Sequence, residues 1–371
     1  MSAICSSLRF APGYAGSSFK LFEVDEPTLQ ELLKDDGSVH IKGGDDDEAL
    51  LCTRDRTFVM RSAESSNSML LAPSRPPATG AGELSIQAST SAHFELLPSA
   101  PRVGQLRGVL GAWPYAGPKA EAADGGEAGR ERPSLAQLGE TVQCSDAELR
   151  VALKQVRGLC VNGGWCVLEP QLETDIMDVV LSLAVEHEWP IDAIPAADCV
   201  RLSLAQMEDF DALAITHCLR CHSALAEAPW DEWVAGTERA SFALDPRAIS
   251  TFRARCLLTQ CDEWPRDSFF EAWGGSLSFG ITPEPSDLEG LAISSADGAS
   301  LQALPFESLP VAAVPRFEAL FKVKREWSMA ELLPYVRDLI DPTSSAERLV
   351  LTHGRGVKAN DGSMTYVPRF G

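Results

Sequence analysis

The sequence predicts an α+β protein in which a β-rich N-terminal domain, part of a barrel, precedes tandem modules of helices and hairpins. Two patterns in the 371-residue chain lead to this prediction. Short apolar runs at close spacing, separated by turn residues, fill the first hundred residues, which is typical of a small sheet or barrel. Beyond residue 133 the pattern becomes helix, turn, helix and hairpin. The predicted domains span 1–100, 101–170, 171–314 and 315–371.

Strands dominate the predicted N-terminal domain. One helix interrupts them at 26–33, where Leu29, Leu32 and Leu33 share a face. A Pro-, Gly- and Ser-rich segment at 72–82 is predicted as a loop, and a Gly-, Ala- and charge-rich segment at 116–133 as a linker. The predicted strands lie at 19–24, 38–43, 48–53 and 57–63.

The segment after this linker is predicted as a winged helix, a variant of the helix-turn-helix. Ser145 and Glu148 form a capping-box pattern at the start of a helix, and Gly158 is predicted to end that helix. Asn162-Gly163-Gly164 then joins two short apolar runs, a strong signal of a β-hairpin.

Up to four such cycles follow one another without a fixed period, so they are predicted as separate modules and not as a solenoid. In the last cycle, Ser328 and Glu331 form a second capping box, and Pro334 is predicted to kink the helix that follows. A helix at 345–353 and a hairpin turning at Asp361-Gly362 complete this module. The middle cycles are predicted from helices at 214–225 and 267–273 and a hairpin at 290–304.

The formal net charge of −21 excludes nucleic-acid binding by the whole surface, because such a chain repels phosphates. From Phe321 onward, however, the chain has eight basic and six acidic residues, so the net charge of this tail is +2 and that of the remainder is −23. Basic side chains on a wing and an adjacent helix suit phosphate contacts; the alternative is an ordinary solvated surface. The predicted DNA contacts are Lys322, Lys324, Arg325, Arg337, Arg355, Lys358 and Arg369, of which Arg355, Lys358 and Arg369 bracket the wing.

Sequence motifs of enzymes are absent. No phosphate-binding loop, dinucleotide fingerprint or nucleophile elbow occurs, so neither catalytic residues nor a cofactor are predicted. Cys218, Cys221 and His222 match the C-x-x-C-H pattern of haem attachment, or a zinc site completed by Cys256 and Cys261. The favoured interpretation is an amphipathic helix that buries these side chains, since free cysteine behaves as a small apolar residue. No metal site is therefore predicted.

The chain also lacks a long apolar run and an export signal, so neither membrane insertion nor secretion is expected. Its ten cysteines are then expected to be free thiols in a reducing compartment.

Three separated blocks resemble a known family. Residues 51–71, 93–110 and 316–340 are similar, in order and spacing, to blocks of the "defective in sister chromatid cohesion" family. This resemblance implies a nuclear, non-catalytic subunit of the chromosome-transmission-fidelity form of replication factor C. That complex acts on the PCNA sliding clamp in DNA replication and sister chromatid cohesion, and other subunits hydrolyse its ATP.

The resemblance also implies how the chain assembles. In the family, the N-terminal domain forms a composite barrel with strands of the large and small partner subunits. This barrel and nearby winged-helix surface engage DNA polymerase epsilon. The winged helices, three in the family, bind single- and double-stranded DNA. The residues predicted to bind the partners are Phe19, Leu21, Phe22, Leu50, Leu51, Phe58 and Met60.

An alternative function is that of a winged-helix transcription or chromatin adaptor. It requires base contacts from a recognition helix. The last such helix, 344–353, offers only Arg348 and His353 for this purpose.

Overall fold

The computed structural model describes residues 7–12, 14, 19–34, 39–44, 48–72, 83–123, 131–235, 239–295, 297–358, 362 and 364–369. The chain divides into two compact units. Unit 1 comprises residues 1–100 and 143–146, and unit 2 comprises residues 101–142 and 147–371. Within the described ranges, no helix is both long enough and apolar enough to cross a membrane.

Unit 1 is built mainly from strands. Its described elements are β1 (Ser7–Phe10), β2 (Phe22–Glu23), α1 (Glu26–Lys34), β3 (His40–Lys42), β4 (Leu50–Cys52), β5 (Thr57–Leu71), β6 (Glu83–Ile86) and β7 (Ala88–Pro98). Five strands form an open half-barrel in the order β2-β7-β5-β4-β3, while β1 pairs with β6. Each of the four predicted strands is confirmed, as is the helix.

Strand β5 continues eight residues beyond its prediction, through a polar stretch of low strand propensity. Antiparallel pairing with β7 holds it extended, with a register shift between Glu64 and Met69. Strands β1, β6 and β7 are not predicted from the sequence. Most of the predicted loop, at 73–82, lies outside the described residues.

Unit 2 begins with short helices and one hairpin. Its first elements are α2 (Leu106–Gly111), α3 (Pro118–Ala123), α4 (Leu135–Thr141), α5 (Asp146–Gln155), β8 (Leu159–Val161) and β9 (Gly164–Cys166). The hairpin prediction is confirmed, and both turn residues adopt positive φ, 52° at Asn162 and 87° at Gly163.

Two local expectations in this region are wrong. The predicted linker contains α3, because its Lys, Glu and Ala residues favour a helix; residues 124–130 lie outside the described part. Helix α5 is terminated by Arg157, at φ 55°, and not by Gly158. The Gly158 N–H donates to the Leu153 carbonyl at 2.7 Å, and a Cβ on Gly158 would lie 3.1 Å from that oxygen.

The rest of unit 2 repeats one order of elements three times: a helix, a strand, a helix, and then a later strand that pairs with the first strand of the same group. The first group is α6 (Pro170–Glu186), β10 (Ile194–Pro195), α7 (Ala196–Gln206), α8 (Ala212–Cys221), α9 (Trp230–Ala235) and β11 (Ser241–Phe242). The second is α10 (Pro246–Leu258), β12 (Glu263–Pro265), α11 (Arg266–Ser276), β13 (Ala292–Ser294) and β14 (Ser300–Ala303). The third is α12 (Ala313–Val323), β15 (Trp327–Ser328), α13 (Met329–Val336), α14 (Ala346–His353), β16 (Gly354–Lys358) and β17 (Met364–Pro368).

Sheet pairing and cores follow this repetition. Strand β10 pairs with β11, and the later groups form sheets in the orders β12-β14-β13 and β15-β17-β16. Each group contributes to its own apolar cluster, which contains Ile176 in the first, Trp273 in the second and Trp327 in the third. The α+β prediction is therefore confirmed.

The predictions for residues 313–369, the C-terminal group, are largely confirmed. Ser328 and Glu331 form both hydrogen bonds of a capping box, and α14 and the terminal hairpin are present. Pro334 lies in the last turn of α13, which ends at Val336 and continues as a 3₁₀ turn. Residues 359–361 and 363, at the tip of the hairpin, lie outside the described residues.

Candidate functional sites

The C-terminal group carries all seven predicted DNA-contact residues. Six of them are exposed, and they lie on α12, on the turns flanking α13 and on the β16–β17 hairpin: Lys322, Arg325, Arg337, Arg355, Lys358 and Arg369. Lys324 differs, because its ammonium donates to Glu331 Oε1 at 2.5 Å and lies over the Trp327 ring. Burial opposes ionisation of Glu331, but the bonds from Lys324 and Ser328 hold the pKa of Glu331 below its usual value. Lys324 is thus engaged within the fold.

The hairpin places its two basic residues on different faces. Successive side chains of a strand alternate between faces, so Arg355 lies on the face of Val357 and Lys358 on the face of Gly356. A Cβ on Gly356 would lie 2.8 Å from the Met364 methyl group and 3.8 Å from Leu351 of α14. The Lys358 face is therefore the one turned toward α14, and Arg355 lies on the other.

A shallow groove runs along the exposed side of α14. Its lining includes Arg348, Leu351 and Thr352 of the helix and Arg369 from the chain end. Arg369 Nη1 donates to the Thr352 carbonyl at 3.2 Å, which places its guanidinium beside the last turn of the helix. Ser345 caps the helix by accepting from the Arg348 N–H. Two exposed arginines thus lie along one helix. From the sequence, Arg348 is predicted only as a base-contacting residue of the alternative function.

One buried arginine fixes the C-terminal group internally. Arg316 is 2% exposed and donates to Asp338 Oδ1 at 2.5 Å. It also donates to the carbonyls of Pro310 at 2.6 Å, Val311 at 3.1 Å and Tyr335 at 3.2 Å. These bonds tie the entrance of α12 to the end of α13.

In unit 1 the predicted partner-binding residues separate into two sets. Phe19 and Phe22 are exposed, and Leu21 and Met60 are half-buried. Leu50, Leu51 and Phe58 are buried. These three side chains are covered within the chain itself, and their contact with the partners stays a prediction. An apolar run in the sequence does not distinguish a central strand from a docking edge.

The half-barrel has open edges. Within the described residues, β2 and β3 are its end strands, each hydrogen-bonded on one side only. Strand β4 pairs with β5 only at residues 57–59, so the remainder of that β5 edge has no strand neighbour in the described part. Exposed apolar side chains lie on these strands, among them Phe22 at 37%, Ile41 at 59% and Leu70 at 49%.

The sequence of this chain matches the model of one protein family. The profile described as "Sister chromatid cohesion protein Dcc1" matches residues 19–336, most of the chain. The chain belongs to the Dcc1 family. The resemblance carried by the three sequence blocks is thereby confirmed.

Individual Dcc1 relatives are similar over nearly their whole length. "Sister chromatid cohesion protein DCC1" of Danio rerio is 26% identical over 364 residues, covering 95% of this chain and 90% of the relative. "Probable sister chromatid cohesion protein DCC1" of Dictyostelium discoideum is 27% identical over 387 residues, covering 98% and 97%. The Homo sapiens protein is 27% identical over 346 residues, covering 90% and 84%.

The C-x-x-C-H segment of this Dcc1-family chain forms the end of α8 and is buried, as the favoured interpretation predicts. Burial raises the pKa of the Cys221 thiol to about 11 and that of Cys218 well above its usual value, so both stay neutral. In the described part, the group of three side chains close enough to share one metal ion is Glu23, His93 and Glu95, which includes no cysteine.

His222 of the same segment belongs to a buried polar cluster centred on Glu173. Glu173 Oε1 accepts from Arg157 Nη1 at 2.5 Å and from His222 Nε2 at 3.0 Å, and Oε2 accepts from Arg255 Nη2 at 2.9 Å. Burial opposes ionisation, yet His222 and the two arginines hold the pKa of Glu173 well below its usual value. Burial also lowers the pKa of His222 to about 4, so the imidazole is neutral near pH 7.

Proposed function

We propose that this protein is a non-catalytic subunit of the chromosome-transmission-fidelity form of replication factor C, which acts on the PCNA clamp in DNA replication and sister chromatid cohesion. Membership of the Dcc1 family supports a role in cohesion. In this role the protein works in the nucleus, docks the large and small partner subunits, engages DNA polymerase epsilon and contacts DNA.

The observation that carries the docking proposal is the incomplete core of unit 1. Among its described residues, seven apolar side chains are buried and ten large ones are exposed, whereas in unit 2 fifty are buried and thirteen are exposed. A sheet with so little of its apolar surface covered, and with unpaired edges, is a template for strands of another chain. The partner subunits supply those strands in this proposal.

Co-purification of the full chain with both partner subunits tests this proposal. Ile41→Asp puts a charge on the exposed edge strand β3, and we expect it to reduce recovery of the partners at least tenfold. Val185→Asp is the matched control, because Val185 is 54% exposed on α6 of unit 2, against 59% for Ile41. Equal recovery of the partners with both variants would refute docking through this edge.

We further propose that the three repeated groups of unit 2 are winged-helix modules and that the C-terminal one contacts DNA. The order helix, strand, helix, helix, strand, strand in residues 313–368 is that of a winged helix, with α14 in the recognition-helix position and β16–β17 as the wing. Exposed Arg348, Arg355 and Arg369 on these elements provide charge for phosphates without a set of base-reading side chains.

Binding of the full chain to single- and double-stranded DNA tests this second proposal. The double variant Arg355→Ala with Lys358→Ala should weaken binding to all sequences and reduce the slope of log affinity against log salt by roughly 1–2. The control pair is Lys119→Ala with Arg201→Ala, exposed residues already paired with Glu208, Asp209 and Asp198.

The possible outcomes separate the functions. An unchanged salt slope in the wing variant would exclude DNA contact through the hairpin. A strong preference of the wild-type chain for one DNA sequence would instead favour the transcription or chromatin adaptor.

A further inference from the structure

We propose that Glu23, His93 and Glu95 of unit 1 form a binding site for a zinc ion. The proposal rests on these three side chains alone and stands independently of the partners and of DNA. It differs from the cysteine-based zinc site considered from the sequence, whose Cys218 and Cys221 are buried in unit 2.

Sheet register brings the three side chains together. In the β2–β7 pair, Glu23 lies directly opposite Glu95. His93 precedes Glu95 by two residues on β7, so it projects from the same face. One potential ligand atom from each residue lies within 4.8 Å of the others. Stacked Phe22 and Phe94 occupy the opposite face and help to hold the two strands in register.

Distances in this group suit a metal ion. His93 Nε2 and Glu23 Oε2 are 3.2 Å apart. Two ligands that each lie ~2.0–2.2 Å from a tetrahedral zinc ion are separated by about 3.3 Å. A carboxylate oxygen of Glu95 lies within 4.8 Å of both other ligand atoms and is the third ligand of this site.

The two carboxylates favour a cation at this position. Two carboxylates directly opposite each other destabilise a sheet unless a positive charge lies between them. Arg61, opposite Glu95 on β5, supplies one such charge on this face. His93 offers its Nε2 atom, which already lies beside the Glu23 carboxylate, as the nitrogen ligand of the ion.

The ligand set indicates which ion binds and how. One imidazole with two carboxylates is a set of ligands that zinc binds, whereas magnesium and calcium prefer oxygen ligands alone. Glu23 is 70% exposed, so a fourth position remains open to water. The ion would link the two-residue edge strand β2 to β7 and thus stabilise the end of the half-barrel.

Zinc binding to the metal-free full chain tests the site, by equilibrium dialysis with elemental analysis. Cysteines elsewhere also bind zinc, so the comparison between variants decides. Glu23→Gln and His93→Gln should each lose one equivalent of bound zinc or weaken its affinity at least tenfold. His40→Gln, an exposed histidine of the same sheet, is the matched control and should bind like the wild type.

Cobalt substitution provides a second measurement. The ion lost in the variants should show visible absorption of nitrogen and oxygen ligands without a thiolate charge-transfer band. Identical stoichiometry and affinity in all four proteins would overturn the proposal, as would a thiolate band on the ion that is lost. Glu23→Gln preserves the shape of an exposed side chain, so a matching circular dichroism melt will show that the fold is intact.

Discussion

Replacing Glu173 by glutamine removes one negative charge from the buried cluster of unit 2 without changing the size of the side chain. In the native fold, Glu173 is 15% exposed, and its carboxylate is the shared acceptor of Arg157, Arg255 and His222. The glutamine offers a single oxygen to these three donors. Its amide group would also direct N–H donors toward cationic side chains.

The expected cost follows from the charges left behind. Arg157 and Arg255 are each only 28% exposed, so both would lose their counter-charge in partly dry surroundings. Breaking a buried ion pair by removing one partner costs about 3–5 kcal/mol. Residual solvent around the arginines places the expected loss for Glu173→Gln near the lower end, at about 3 kcal/mol.

Tryptophan fluorescence during urea denaturation measures this loss selectively, because all eight tryptophans of the chain lie in unit 2. The control is Glu186→Gln, the same substitution at an exposed position of the same helix α6. We expect the control to stay within about 0.5 kcal/mol of the wild type. A loss below about 1 kcal/mol for Glu173→Gln would refute the inference that water is largely excluded from this cluster and that its charged groups depend on one another.

Three further predictions concern stability. The pKa of His222 is lowered from 6.5 to about 4, so between these pH values the unfolded chain binds more protons than the folded chain. The free energy of unfolding should therefore fall by about 3 kcal/mol as the pH drops through that window. Acid titration followed by tryptophan fluorescence will show this loss, and a flat profile would contradict it. Arg316→Leu removes a buried donor from four acceptors, one of them in a buried bond and three in part-buried bonds, and should cost about 3 kcal/mol. The loss should be seen as faster amide exchange in α12 and α13, and unchanged exchange would argue against this anchor. Gly117→Ala should destabilise the fold by about 1–3 kcal/mol, because φ is 97° and the new Cβ would lie 2.7 Å from the Asp209 carbonyl oxygen. The control is Gly356→Ala, whose new Cβ meets a movable methyl group and which should be nearly neutral. Thermal melts of both variants measure the difference.

The features of this fold that could be predicted from the sequence are those that depend on neighbouring residues. The Ser328–Glu331 capping box and the Asn162-Gly163 turn depend on residues at most three positions apart, and both are present. Strand β7 and the polar half of β5 depend on each other across a register that no short window contains. Pairing on either side of residues 65–68 keeps this stretch of weak strand propensity within the strand.

The candidate sites show the same limit. Leu50 and Phe58 are apolar strand residues in the sequence, and only the folded structure shows that they are buried. His222 reads as part of a metal motif, and only the fold brings it to Glu173, 49 residues earlier in the chain. Arg355 and Lys358 are an instructive case, because three residues along a strand means opposite faces, and this could have been predicted from the period of two.

Salt dependence should separate the two proposed contacts of this acidic chain. Docking through unit 1 depends on apolar side chains and strand hydrogen bonds, which salt screens little, so partner recovery should stay constant between low and high salt. DNA contact depends on a few exposed cations of a chain with a net charge of −21, so its affinity should fall steeply over the same range. Pull-downs of partners and DNA titrations at matched salt concentrations will measure both. Loss of the partners in salt, in parallel with loss of DNA, would mean that charge and not the open half-barrel holds the assembly.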